Sequence, residues 1–187
     1  MTEKNLSSSN FQTFFVSKET SICPMIIDII RFGKKLDGII DKNFDCSISL
    51  SYGKRVIITA NNVNAKQINQ EDIVEIIDYD PIKNNTLIIG KKNPSFETPV
   101  HWIIQKARTD VNAVVEISSK YLYEQNCNNL PVTDDIATIG TIKRVKNILK
   151  TLQKSKIICI KNEGLLVVGL HLKEIEDSLI KTIGGSI

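Results

Sequence analysis

The chain has 187 residues, 42% hydrophobic and 24% charged, a size and balance that suit one globular domain with a sizeable core. Its net charge is +3, only 6% of its residues are aromatic, and no Lys/Arg cluster is interleaved with aromatics, which argues against nucleic-acid binding. Four widely separated cysteines with no C-x-x-C pair argue against a zinc ribbon or redox motif, and no run approaches the ~20 apolar residues that span a bilayer.

The N-terminal MTEKNLSSSN lacks an apolar signal core, so the expectation is a soluble, cytoplasmic protein with reduced thiols at Cys23, Cys46, Cys127 and Cys159. Residues 1–19 read as a flexible polar tail that can dock through Phe14 and Phe15, and 20–187 as the domain. From Ser21, apolar residues at 22, 26, 29, 30, 36 and 40 recur at helical spacing, with Pro24 in the first turn and an end near Asp41. CSISLSY and KRVIITA, separated by Gly53, predict a hairpin. NQEDIVEIIDY predicts a turn and a strand over Val74–Asp78, and NNTLIIG another strand.

PSFETPVHWIIQKA reads as a helix with Ser95 as N-cap, Pro99 in the opening turns, and Val100, Ile103, Ile104 and Ala107 inward. VNAVV is a buried strand that ends in Glu116 and Ser118, two residues apart and so on one face. A loop-rich stretch containing Asn126, Asn128, Asn129 and Pro131 leads to Thr141, an N-cap for a helix with Ile142, Val145, Ile148, Leu149 and Leu152 inward. The basic row at 143, 144, 146, 150 and 154 reads as that helix's solvated face. KIICI and LLVVG pair around the turn at 161–164, and a last amphipathic helix carries Leu172, Ile175, Leu179 and Ile183. Strands in hairpins with helices between them predict a three-layer α/β/α fold with a central, mostly antiparallel sheet.

Several of these segments, in the same order, resemble the class II aldolase/adducin family. EDIVEIIDYD is similar to that family's E-D-I-V-x-I-D segment. NPSFETPVHWIIQKARTDVNAVVEIS is similar to P-S-S-E-T-P-x-H followed by R-x-D-x-N-A-V-V-H-x-H. KIICIKNEGLLVVG is similar to its strand, N-H-G turn and strand, and PVTDDIATIGT to P-V-x-x-Y-x-x-x-G-T. The resemblance implies a fold shared over residues 20–183 and assembly as a homo-oligomer, typically a tetramer.

It also implies a site that has lost its metal. Family members hold zinc with three histidines, which fall here on Glu116, Ser118 and Glu163. The family's acid/base glutamate is kept as Glu97. His101 sits where the family has a structural histidine, and His171 opens the last helix, so neither replaces the missing ligands. The phosphate-binding loops correspond to Ser47, Ser49, Thr59, Asn61, Asn62 and Ser95, with Cys46, Asn62 and Phe96 departing from the family's pattern. The catalytic tyrosine has no counterpart, since Tyr121 and Tyr123 lie too early.

Three readings follow. One is a degenerate, non-zinc member without the standard chemistry and with no expected cofactor. A second is an aldehyde-lyase or epimerase acting on a sugar phosphate through Mg or Mn at Glu97, Glu116 and Glu163, since oxygen-rich sites suit such ions. The third is a non-catalytic sugar- or phosphate-binding or assembly module. Three converging carboxylates without a metal need a basic partner or a raised pKa, and Lys120 and Lys161 are the nearest candidates in sequence.

Overall fold

Alternating apolar runs and short turns fold the chain around one sheet. The computed structural model describes residues 11–40 and 44–184. Its strands are β1 (Gln12–Ser17), β2 (Asp45–Tyr52), β3 (Arg55–Thr59), β4 (Ile73–Asp80), β5 (Asn85–Ile89), β6 (Ala113–Ser118), β7 (Ile157–Ile160) and β8 (Gly164–Gly169). They pair in the order β1-β5-β4-β3-β2-β6-β8-β7. Only the β1–β5 pair is parallel; every other pair is antiparallel. The helices are α1 (Ile26–Ile39), α2 (Thr98–Ala107), α3 (Lys120–Asn126), α4 (Ile142–Leu152) and α5 (Leu172–Gly184).

The period of two along β6 sorts its side chains between two cores. Ala113, Val115 and Ile117 pack with Ile29, Phe32 and Leu36 of α1 and Ile175 and Leu179 of α5. Val114 faces the other way, against Val100 and Ile104 of α2 and Val145, Ile148 and Leu152 of α4. The expected three-layer α/β/α architecture with a mostly antiparallel sheet is therefore the one observed. Each fully buried Ile, Leu or Val contributes about 1.5–3 kcal/mol, so a polar side chain on the same face as Val114 needs a specific partner. None of the helices among the described residues is long and apolar enough to cross a membrane.

Four local expectations change. Within the expected tail, Gln12–Ser17 is the edge strand β1, with Phe11 buried in front of it, because Phe11 and Phe15 find a core beside Tyr79 and Ile88. Residues 1–10 of that tail lie outside the described residues, as does Asp41 at the expected end of the first helix. Helix α1 begins at Ile26, two residues after Pro24. Lys120–Asn126, running into the expected loop-rich stretch at Asn126, is the short helix α3, whose Ser119 Oγ accepts the Leu122 N–H at 3.3 Å; seven residues show no helical period. Ser95 stands two residues before the α2 N-cap, Glu97, and its Oγ accepts the Glu97 N–H at 3.2 Å instead.

Candidate functional site

Glu116 lies on the same face of β6 as Val114, beneath α2 and α4, and is only 3% exposed. Glu97 enters from the loop that becomes α2, and its backbone carbonyl accepts the His101 N–H at 3.0 Å. Glu163 stands in the β7–β8 turn, which Asn162 closes in a left-handed conformation (φ 63°) that asparagine tolerates better than most residues. The Ser119 N–H donates to the Glu163 carbonyl at 2.8 Å and fastens that turn to the end of β6. Tertiary structure thus brings together the three glutamates that the sequence singled out.

Their basic partner is Arg144, in the first turn of α4 and 2% exposed. Its Nη1 and Nη2 donate to the two Glu163 oxygens at 2.9 and 2.7 Å, a bidentate fork that suits guanidinium. Nη2 also donates to Glu116 Oε1 at 2.8 Å, and Nε to Glu97 Oε2 at 3.0 Å. Nη1 further donates to the Ala137 carbonyl at 3.3 Å. Lys120 and Lys161, the partners expected from sequence, lie elsewhere: Lys120 pairs with Glu124 at 3.7 Å and Lys161 Nζ donates to the Asp134 carbonyl at 3.1 Å.

The basic row on α4 accordingly divides. Lys143, Lys146, Lys150 and Lys154 are exposed as expected, whereas Arg144 is buried. A signal for this was present: Arg144 precedes Ile148 by four residues and Leu152 by eight, so it belongs to the apolar stripe. The Thr141 side chain accepts the Arg144 N–H at 3.3 Å, so the expected N-cap also fixes the arginine's backbone.

One guanidinium faces three carboxyl groups, and burial decides the balance. Burial raises the pKa of Glu97, and the opposing pull of Arg144 does not cancel it. Burial, with the neighbouring Glu97 charge, pushes Glu116 well above the carboxylate range. Burial also works against the charge on Arg144, but Glu116, Glu97 and Glu163 outweigh it and raise its pKa. Two carboxylate atoms, Glu97 Oε1 and Glu116 Oε2, receive no hydrogen bond from any donor in its ordinary ionisation state. Arg144 Nη2 does approach Glu97 Oε1 to 2.9 Å, an ion-pair contact without hydrogen-bond alignment. A protonated Glu116 supplies a hydrogen bond to Glu97.

Glu97 and Glu116 form part of the wall of a cavity of about 160 Å³. Asp45, Cys46, Ser47, Asn61, Asn62, Ser95, Phe96 and Ser118 line the rest of its polar surface and mouth. Ser47 and Ser95 hydrogen-bond to each other across it. Burial raises the Cys46 thiol to about 12, which leaves it unreactive at neutral pH. Ser49 and Thr59, expected beside the ligand, are fully buried and do not line the cavity. Thr59 Oγ1 accepts the Ile48 N–H at 3.2 Å. Ser49 Oγ meets His101 Nδ1 at 2.7 Å and accepts a hydrogen bond from Gln105 Nε2 at 2.8 Å. His101 is thus the structural histidine expected, while His171 is exposed, its Nδ1 accepting the Glu174 N–H at 3.2 Å.

The residues present do not fit a zinc ion. Zinc requires deprotonated ligands around an open centre, whereas here a permanently charged guanidinium sits between the carboxylates at 2.7–3.0 Å. A second cation coordinated by all three would meet Arg144 as a like charge. Among the described residues, no group of three His, Cys, Asp or Glu side chains is disposed to hold a metal ion.

The chain is similar in structure to an L-fuculose 1-phosphate aldolase, with 21% identity and a TM-score of 0.67 over 86% of this chain and 85% of that one. It is similar to a sugar-phosphate aldolase from Thermotoga maritima, with 12% identity and a TM-score of 0.66 over 87% and 91%. The N-terminal class II aldolase domain of a conserved protein from Thermoplasma acidophilum aligns at 14% identity and a TM-score of 0.63 over 90% and 94%. At these identities the likeness is one of fold. No curated protein matches the sequence. The family model of the class II aldolase and adducin N-terminal domain matches residues 40–181, a span that contains Glu97, Glu116, Arg144 and Glu163, and the chain belongs to that family.

Proposed function

We propose that this domain keeps the class II aldolase fold and its cleft but not zinc-dependent aldol cleavage, and that it acts as a metal-free, small-molecule-binding member of the family. The observation that carries this reading is Arg144, whose guanidinium donates to Glu97, Glu116 and Glu163 together. A fixed internal cation places positive charge among the carboxyl groups, where a metal ion would otherwise bring it. It offers no exchangeable coordination position, which a Lewis acid needs to polarise a carbonyl.

The same observation weighs against a carboxylate-bound Mg or Mn. Such an ion would have to displace Arg144 from three partners and leave the guanidinium buried and unpaired, a cost of several kcal/mol. Homo-oligomeric assembly is part of the proposal and is supported by family membership.

The test joins composition to activity. Purified protein is expected to carry far less than one zinc per chain, to show no heat of binding with Mg²⁺ or Mn²⁺, and to leave fuculose-, rhamnulose- and ribulose-phosphates uncleaved with or without added Zn²⁺. Stoichiometric zinc, or zinc-dependent release of aldehyde from any of these substrates, would overturn it.

A further inference from the structure

The two edges of the sheet are treated differently. At one end the 131–133 segment covers β7: the Cys159 N–H donates to the Pro131 carbonyl at 2.8 Å, the Thr133 N–H donates to the Cys159 carbonyl at 3.0 Å, and Val132 bridges to Cys159. At the other end β1 pairs with β5, and among the described residues no backbone pairs with its outer side. The Gln12 N–H donates inward to the Asn84 carbonyl at 2.9 Å, so the period of two turns the backbone groups of Thr13 and Phe15 outward. An edge left this way is a template for another strand.

Edge strands are commonly guarded by lysine, proline or an inward-pointing charge, and QTFFVS contains none of these. A register shift against β5 falls between Phe15 and Ser17 and leaves 12–15 regular. Phe14 and Val16 are 44% and 60% exposed, and Leu87, the register partner of Phe14, is 38% exposed. The core under α1 and α5 draws on β2, β3, β4, β6, β7 and β8 but takes no residue from β1 or β5, which leaves this apolar strip outside it.

We infer that β1 is a self-association edge: two copies of the chain pair antiparallel, β1 against β1, about a two-fold axis at Phe15, and join their sheets into one. This names the surface for the homo-oligomeric assembly proposed above and rests on that reading. With the axis there, the two Phe15 residues exchange both N–H to carbonyl hydrogen bonds, and Phe14 of each copy faces Val16 of the other. The contact is isologous, so apolar meets apolar on both sides of the axis. Charge permits it. One end of the edge carries Lys18 and Glu19 and the other Asp80 and Lys83, so each end sums to zero and antiparallel pairing sets no net like charge together. A strongly charged partner finds nothing to read along an uncharged strand, whereas a second copy supplies a matching one.

Light scattering and amide hydrogen exchange on the full chain, from low to high micromolar concentration, test this. The associated form is expected to exchange the Thr13 and Phe15 amides at least about tenfold more slowly than the monomer obtained by dilution or by Val16→Lys. Val16→Lys, at a position 60% exposed and so tolerated by the fold, should weaken association at least about tenfold, because it sets a lysine beside Phe14 of the second copy. Ile136→Lys, 61% exposed in the loop that follows the segment covering β7, is the control and should leave the mass unchanged. Slow exchange of these amides in a monomer would mean that the chain covers its own edge, and would overturn the inference. Unprotected Thr13 and Phe15 amides in an oligomer, or an effect of Ile136→Lys as large as that of Val16→Lys, would place the interface elsewhere; either result overturns the inference and leaves the homo-oligomeric reading standing. A monomer at every concentration overturns both.

Discussion

Arg144 holds three carboxyl groups together, and its removal would leave them without a counter-charge. Arg144→Met is expected to cost about 3–5 kcal/mol at pH 7, the usual penalty for breaking a buried pair by deleting one partner. The deficit should narrow toward pH 5 as Glu97 and Glu116, whose pKa values burial raises, take up protons, and urea midpoints at the two pH values measure it. Arg144→Lys should also destabilise, because an ammonium cannot reproduce the fork on Glu163. His101 provides a second prediction. Burial, aided by the Arg144 charge, pushes its pKa from 6.5 down to about 3, so the folded protein holds it neutral. Below pH 6.5 the unfolded chain binds a proton that the fold refuses, so this contribution is complete above 6.5 and is lost as pH falls, by about 1.4 kcal/mol per unit. Glu97 and Glu116 have the opposite sign: their raised pKa values make them cost stability as pH rises above the carboxylate range. Comparison with His101→Gln isolates the histidine, and the stability advantage of the unsubstituted protein should shrink by about 2 kcal/mol between pH 7 and pH 5. A constant difference would contradict a buried neutral imidazole.

At the level of elements, the close approach of β8 to β6 sets the spacing of the glutamates. A Cβ on Gly164 would lie 1.9 Å from the Ile117 carbonyl oxygen and 2.9 Å from the Ser119 nitrogen, both backbone atoms that cannot swing away. Gly164→Ala should therefore force the strands apart between Glu116 and Glu163 and cost about 3 kcal/mol or more, read as a fall in thermal midpoint. Gly38, in α1, offers the matched control, with nothing within 4 Å of its added Cβ. Gly38→Ala should raise stability by about 0.5–1 kcal/mol through helix propensity. Most elements were legible from periodicity because each buries a face; β6, α4 and α5 follow their apolar spacing closely. The elements that escaped are α3, too short to show a period, and β1, whose QTFFVS run becomes a strand only when β5 supplies its hydrogen-bond partners.

For the whole molecule, the arrangement of layers leaves the carboxyl cluster at a junction of β6, the β7–β8 turn, α2 and α4. The homo-oligomeric assembly proposed above predicts that light scattering on the purified chain gives a multiple of 21.0 kDa greater than one. A monomer across the micromolar range would contradict that expectation. The sequence by itself determined the fold class and the family and singled out Glu97, Glu116 and Glu163, because hydrophobic period and motif spacing are local properties of the chain. Only tertiary structure decided that Arg144 joins them, since Glu97 and Arg144 lie 47 residues apart along the chain and no local rule pairs a helix-borne arginine with a distant strand. It also decided that Ser49 and Thr59 are scaffold while Ser47, Asn61 and Asn62 face the cavity. Which polar groups meet depends on how the layers stack, and burial then makes that meeting consequential: the same four side chains in water would attract one another only weakly.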